Sequence, residues 1–311
     1  MRTLICGSLA FDTIMVFPDR FGRHILPEQT HMLSVSFQIV DMRREWGGCA
    51  GNIAYNLHGI GGDAVVMGTL GTDGETYRAR LLDLGIASDG VRVIDETYTA
   101  QAFIITDLDD NQITAFHPGA MNHSHRNAVT DVANVGLGII APDGKEGMQS
   151  HAAQFAAQNI AFLLDPGQGL PLFSRDELAT LIDSATYLAV NDYEAKLLSE
   201  RTGWSIGDLA ERVDALVVTL GGEGSVIHAN GATHAIPAAP ASAVVDPTGC
   251  GDAYRAGLLY GIAAGWDWQR TGQLASVLGA MKIASRGGQN HVVDRETVAA
   301  RYRDAFGERL W

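Results

Sequence analysis

A chain of 311 residues, 46% of them hydrophobic, is long enough to bury a sizeable core as one large domain or two modest ones. Its formal charge of −14 argues against a nucleic-acid-binding surface, which needs clustered Lys and Arg, and no apolar run approaches the roughly 18 residues of a membrane span. Three cysteines, Cys6, Cys49 and Cys250, are few, odd in number and far apart, which points to the reducing cytoplasm and away from a disulfide framework or zinc site.

Taken in order, residues 4–8 form an apolar run that predicts a first β-strand, with Asp12 just beyond it, where polar residues at the end of a parallel strand meet ligands. Alternation over 31–40 predicts a strand that no helix precedes. It leads to Trp46-Gly47-Gly48-Cys49-Ala50-Gly51-Asn52, a glycine-rich turn before Ile53, Ala54, Leu57 and Ile60 at helical spacing. Such a turn lets backbone approach a ligand, and Asn52 is placed either to bind a substrate hydroxyl or to make a local cap.

A buried strand over 64–68 and a helix over 75–84 follow, then two strand signals, 100–107 and 112–117, flanking the hairpin Leu108-Asp109-Asp110-Asn111. With 31–40 they make a group of strands without intervening helices, expected to form a separate β-layer that covers a site as a lid. Phe37, Phe103 and Phe116 lie in it and are candidates to sandwich a planar or apolar ligand, with ordinary sheet packing as the alternative. His117, His123 and His125 lack an adjacent carboxylate or cysteine pattern and read as a solvated loop.

From residue 134 the βα rhythm is regular. Strands are predicted at 135–140, 161–165, 187–191 and 215–220, and helices at 151–157, 175–183 and 192–201. A hairpin over 225–229 and 232–236 comes next, and helices over 253–264, 271–285 and 295–306 close the chain. The strands are short continuous apolar runs, as expected when helices cover both faces of a parallel sheet. No repeat or linker divides the chain, so residues 1–311 are expected to form one domain, with a discontinuous lid at about 13–46 and 97–118.

The chemistry gathers at predicted strand ends, where open α/β sheets bind ligands. Asn191-Asp192-Tyr193-Glu194 starts a helix, its Asn and Glu three apart as in a capping box. Thr219-Leu220-Gly221-Gly222-Glu223-Gly224 ends a strand in a turn with unshielded N–H groups suited to phosphates, without the Gly-Lys-Ser/Thr of a Walker A loop. Arg286-Gly287-Gly288-Gln289-Asn290 reads most simply as a helix stop. Asp246-Pro247-Thr248-Gly249-Cys250-Gly251-Asp252 is a glycine-punctuated turn opening a helix, an anion cradle by virtue of free N–H groups and the helix dipole. A carboxylate there repels phosphate, so Asp252 is either a dipole-stabilised cap or the base for a nucleophile attacking that phosphate. The first strand lacks the G-x-G-x-x-G opening of a nicotinamide dehydrogenase.

In this combination and order, Gly7-Ser8-Leu9-Ala10-Phe11-Asp12, the Gly47 to Asn52 turn, Asn191 with Glu194, the Thr219 to Gly224 turn and Asp246 to Asp252 resemble the ribokinase-like (PfkB-type) carbohydrate and nucleoside kinases over essentially the whole chain. The resemblance implies a Rossmann-like α/β/α sandwich with a mostly parallel central sheet and a small β-sheet lid, ATP as donor, Mg²⁺ bridging phosphates, and a homodimer as one assembly. It casts Asp252 as base, Gly249, Cys250 and Gly251 as anion hole, and Asp12, Gly47, Gly48 and Asn52 as positions holding substrate hydroxyls. Asn191, Glu194, Thr219, Gly221, Gly222 and Gly224 resemble nucleotide-site positions, Glu194 acting on Mg²⁺ indirectly. Some members bind a monovalent cation such as K⁺ near the position of Asp246 and the loop 285–288. Pro247 and Cys250 depart from the pattern, which usually has Thr after the first Asp and Ala before the last Gly. The lid residues and the Asn191 to Glu194 run look closest to the prokaryotic adenosine kinase branch, so the expected reaction is transfer of the ATP γ-phosphate to a nucleoside 5′-hydroxyl, adenosine first. A ribose- or fructose-type sugar kinase is the alternative.

Overall fold

The central strands are rich in apolar residues because helices cover both of their faces. In the computed structural model, which describes residues 1–25, 34–109 and 111–311, nine strands form one sheet. They are β1 (Arg2–Cys6), β4 (Asp63–Leu70), β5 (Ala87–Val93), β8 (Val135–Ile140), β9 (Phe162–Leu164), β10 (Tyr187–Asn191), β11 (Ala215–Thr219), β12 (Ser225–Ala229) and β13 (Ala232–Ile236). Their order is β13-β12-β11-β10-β9-β8-β1-β4-β5. Pairing is parallel from β5 to β11, and the β12–β13 hairpin adds two antiparallel strands at one edge.

Successive residues of one strand feed different cores. Ile5, Val66, Ile139, Leu163, Ala189 and Val217 pack with α1 (Cys49–Gly59), α2 (Glu75–Asp83), α7 (Cys250–Ala263), α8 (Trp268–Lys282) and α9 (Arg295–Phe306). Leu4, Cys6, Val65, Met67, Leu164 and Val190 pack on the other side with α3 (Lys145–Ala157), α4 (Arg175–Ser184), α5 (Asp192–Thr202) and α6 (Ile206–Ala210). Among the described residues no helix is long and apolar enough to cross a membrane.

A second sheet holds β2 (Ala10–Val16), β3 (Asp41–Gly47), β6 (Ala100–Thr106) and β7 (Gln112–His117), in the order β3-β2-β6-β7. This is the lid, and two of its strands differ from expectation. Residues 31–33 of the expected strand over 31–40 lie outside the described residues, and 34–40 have no regular structure. The strand there is β3, antiparallel to β2, and Asp12 lies in the middle of β2 and not in a loop after β1. The edge strand β5 also went unpredicted, because Ala87-Ser88-Asp89-Gly90-Val91-Arg92-Val93 lacks a continuous apolar run. Helix α3 starts six residues before its expected start, and α7 begins at Cys250, so Asp252 sits inside its first turn.

The two sheets join at Gly47 and Gly48. Gly48 precedes α1 with φ +85°, and a Cβ there would lie 2.5 Å from the Ser8 carbonyl oxygen, so only glycine lets β3 turn into α1 beside β1. Side chains reinforce the join: Arg44 pairs with Asp73 at 3.2 Å, and Asn290 Nδ2 donates to Glu45 Oε2 at 2.6 Å.

Candidate active site

Asp252 is the third residue of α7, and its carboxylate is aimed by α1. Asn52 Nδ2 donates to Asp252 Oδ2 at 2.8 Å, while Gln289 Nε2 donates to Asn52 Oδ1 at 3.2 Å and to the Tyr77 hydroxyl at 2.9 Å. Tyr77 in turn donates to the Gly47 carbonyl at 2.7 Å. Because Asn52 Oδ1 already accepts, its amide presents a donor to Asp252. Burial pushes the Asp252 carboxyl up to about 6, opposed by the Asn52 hydrogen bond and reinforced by the charge of Asp165. A carboxylate tuned toward neutrality, held by a neutral donor, is equipped to accept a proton.

The side facing the long groove is built by the turn before α7. Gly249, in the left-handed region, caps the helix. The N–H groups of Gly249, Gly251 and Asp252 have no acceptor among the described residues. Cys250 differs from its expected part: its N–H donates to the Pro247 carbonyl at 3.1 Å and closes the turn. A groove of about 420 Å³ runs from this end to the β11 turn, lined by Thr219, Gly221, Gly222, Gly224, Cys250 and Gly251. Its apolar wall, Ala238, Ala239, Ala241 and Val244 with Ala280 of α8 and Ile283 just after it, was not singled out from the sequence. Asn191 and Glu194 form the expected capping box: Glu194 N donates to Asn191 Oδ1 at 2.7 Å and Asn191 N to Glu194 Oε2 at 2.8 Å. Glu194 Oε1 is left over, and burial together with the nearby Asp165 charge raises this carboxyl above its ordinary value.

The opposite wall belongs to the lid. Asp12 fills the space that the missing side chain of Gly47 leaves, where a Cβ would lie 2.5 Å from Asp12 Oδ2. Burial first, then the charges of Asp246 and Glu45, push its carboxyl up to about 6. Strand register sorts the three candidate aromatics. Asp12 lies beside Ala102, and Ala102 opposite Phe116, so Asp12 and Phe116 share a face of the lid. Phe103 lies beside Thr13 and opposite Ala115, on the other face. Phe37 is taken up by the lid's own packing, with ring centroids 4.8 Å from Phe17 and 5.1 Å from Phe21.

Several residues that shape the site went unnoticed in the sequence. Asp165, next after β9, is buried and pairs with Arg255 Nε of α7 at 3.0 Å, while Arg255 Nη1 has no partner among the described residues. Both were findable, since Asp165 ends a predicted strand and Arg255 stands three residues after Asp252. Two carboxylates, Asp165 and Glu194, therefore lie close enough to act on each other, and both act on the Arg255 guanidinium. That set suits a Mg²⁺ that takes most of its ligands from phosphate and water. Asp246 is different: Oδ1 accepts from Thr248 N and Oδ2 from Gly287 N, both at 2.8 Å, and its carbonyl accepts from Lys282 Nζ at 2.9 Å. The loop read as a helix stop thus reaches Asp246, Asn52 and Glu45 at once.

The chain is similar to known proteins over nearly its whole length. The family model described as "pfkB family carbohydrate kinase" matches residues 21–295. A nucleoside kinase of Burkholderia thailandensis, solved in complex with inosine, is 52% identical, with 99% of each chain covered and a TM-score of 0.89. The same protein has been solved in complex with ADP-inosine. The nucleoside kinase of Methanocaldococcus jannaschii is 31% identical over 97% of both chains, and the ribokinase of Bacillus subtilis is 26% identical over 96% of this chain and 98% of its own.

Proposed function

From the fact that this chain belongs to the pfkB carbohydrate kinase family and is an ATP-dependent kinase, we propose that it transfers the γ-phosphate of ATP to the 5′-hydroxyl of a purine nucleoside, with adenosine as a substrate. The observation that carries the proposal is the Asn52-held carboxylate of Asp252, next in the chain to the groove-lining Gly251, with Asp12 of the lid near enough that both carboxyls act on Tyr77. Two whole-length nucleoside kinase relatives, one solved in complex with inosine, support a nucleoside as acceptor.

In this reading ATP lies along the groove with its base against Ala238, Ala239 and Ala280 and its phosphates toward Gly249 and Gly251. The acceptor rests between Asp12 and Asn52, its base toward Phe116. As the 5′-oxygen bonds to the γ-phosphorus, Asp252 takes the hydroxyl proton, and the bond to the β,γ-bridging oxygen breaks to release ADP. Charge on the transferring group meets the free N–H groups at the start of α7 and the positive end of its dipole. Mg²⁺, when bound with ATP near Glu194 and Asp165, neutralises phosphate charge. Arg255 keeps those two carboxylates from repelling the nucleotide. We further propose that the whole chain works as one kinase domain, in the cytoplasm, where ATP and reduced cysteines belong together.

The test is a panel of acceptors with MgATP, reading ADP release for adenosine, inosine, other nucleosides, ribose and fructose. Turnover of adenosine and inosine with inert free sugars is expected. Phosphorylation of ribose or fructose with no nucleoside turned over would instead make this a sugar kinase.

A further inference from the structure

Lys282 ends α8 and is fully buried, an unusual position for an ammonium group. Burying a charge costs several kcal/mol unless it is compensated. The compensation here is specific. Lys282 Nζ donates to the Asp246 carbonyl and to the Ser285 carbonyl, both at 2.9 Å, so one cation bridges the loop before α7 and the loop after α8. Around it the same two segments are zipped by Val245 N and Asp246 N donating to the Ile283 carbonyl, and by Gly287 N donating to Asp246 Oδ2. The Lys282 charge also helps hold the Asp246 carboxyl below its ordinary value.

A small cation coordinated by backbone carbonyls at this place would do the same mechanical work. The residues present do not fit one. Two of the carbonyls are engaged by the lysine, and both Asp246 oxygens are engaged by backbone N–H groups. We propose that Lys282 is a built-in substitute for a monovalent cation: its ammonium fixes the 246–249 turn, and with it the N–H groups at the start of α7, so that phosphoryl transfer proceeds without K⁺. Lys282 is a positioning residue. A Cβ on Gly249 would lie 3.6 Å from Lys282 Cε, so the lysine stem backs directly onto the turn that caps α7.

The inference rests on the kinase reading, and the experiment separates the two. With the wild-type protein, magnesium, and ATP as its choline salt, ADP release is measured in KCl, NaCl, NH₄Cl and choline chloride at one ionic strength. Rates within about twofold of each other are expected, because no alignment of the turn waits on an added ion. Activation by K⁺ of tenfold or more over choline overturns the proposal and leaves the kinase reading intact, whereas no ADP release in any salt sinks the kinase reading itself. Lys282→Ala opens the cation position. It should lower kcat about 100-fold in choline, with the acceptor KM changed far less, as expected when a catalytic turn is misaligned. K⁺, NH₄⁺ or ethylammonium should then restore at least a tenth of the lost rate. Melting temperature supplies a readout free of catalysis: K⁺ should raise it in Lys282→Ala but not in the wild type. A folded variant that no cation rescues in rate or melting temperature would reduce Lys282 to a packing role.

Discussion

The nine-stranded sheet and the four-stranded lid face each other across one site, yet they are made by different physics. Strands β1, β8 and β10 are buried on both faces, α5 opens directly from β10 through the Asn191–Glu194 capping box, and the turn before α7 is held by hydrogen bonds to Ile283 and Gly287. The lid is protected where Phe11 and Trp46 pack on Tyr77 of α2 and where Phe17 and Phe21 pack with Phe37, and is half open elsewhere: Phe116 and Phe103 are 53% and 40% exposed. The large sheet thus supplies fixed chemistry, and the lid supplies a surface whose final form depends on the acceptor. Substitutions on the two sides should accordingly separate into losses of kcat and losses of acceptor affinity.

The largest effect belongs to the fixed side. Asp252→Asn should lower kcat by about 10³-fold or more while leaving the acceptor KM within a fewfold, since proton acceptance in the transition state is lost and the shape kept. A linkage argument supplies the folding control. The folded-state carboxyl titrates near 6, above its ordinary range, so its contribution to stability is complete below the unfolded value and declines as pH rises through the folded one. The amide variant should therefore melt no lower than the wild type at pH 8, and a large drop in melting temperature would make the activity loss uninformative. Next in size, Asp12→Asn on the lid side should raise the nucleoside KM about 10- to 100-fold, the worth of a charge-assisted hydrogen bond, with kcat little changed. A kcat loss matching that of Asp252→Asn would erase the division between the two sides.

The same division decides the pH dependence. Burial pushes the carboxyls of Asp252 and Asp12 both up to about 6, and in the roles proposed for them both are needed ionised, so activity should be lost as pH falls. In free enzyme both matter, and kcat/KM should fall about 100-fold per unit below that value, while kcat, measured with the acceptor already seated on Asp12, should fall about tenfold per unit. Asp12→Asn should reduce the kcat/KM slope to that of kcat. Equal slopes in the wild type would place a single ionisation in control and remove Asp12 from acceptor binding.

The comparison also explains what could be read from the chain alone. Strands buried on both faces are nearly unbroken apolar runs, so β8 and β10 stand where periodicity puts them, and the more exposed β12–β13 hairpin also stands where expected. Turns at their ends carry glycines and capping residues with local signatures, which is why Asn191 with Glu194 and the turn before α7 were visible. Lid strands meet water on one side and mix Asp12, Arg43, Arg44 and Glu45 into their alternation, so β2 is not visible in the sequence and β3 is expected too early. What the sequence does not reveal is contact over long sequence distances. Gln289 reaches Asn52 and Tyr77, Arg255 reaches Asp165, and Lys282 reaches Asp246, and none of these pairs leaves a local pattern.

The smallest expected effect tests the lid's geometry most finely, because it pits two chemically identical residues against each other. Phe103 and Phe116 lie on neighbouring strands, and sequence alone gives no reason to prefer either. Register does: Phe116 shares the face of Asp12 and Phe103 does not. A stacked aromatic contact is worth about 0.5–1.5 kcal/mol beyond its area, so Phe116→Ala should raise the nucleoside KM roughly 3- to 10-fold. Phe103→Ala should leave KM within about twofold and act, if at all, on stability. Because free ribose has no base to stack, ribose would feel neither change if it bound at all. Equal effects from both phenylalanines would mean that the lid rearranges its strands on closing, and a larger effect from Phe103 would show that its opposite face meets the acceptor.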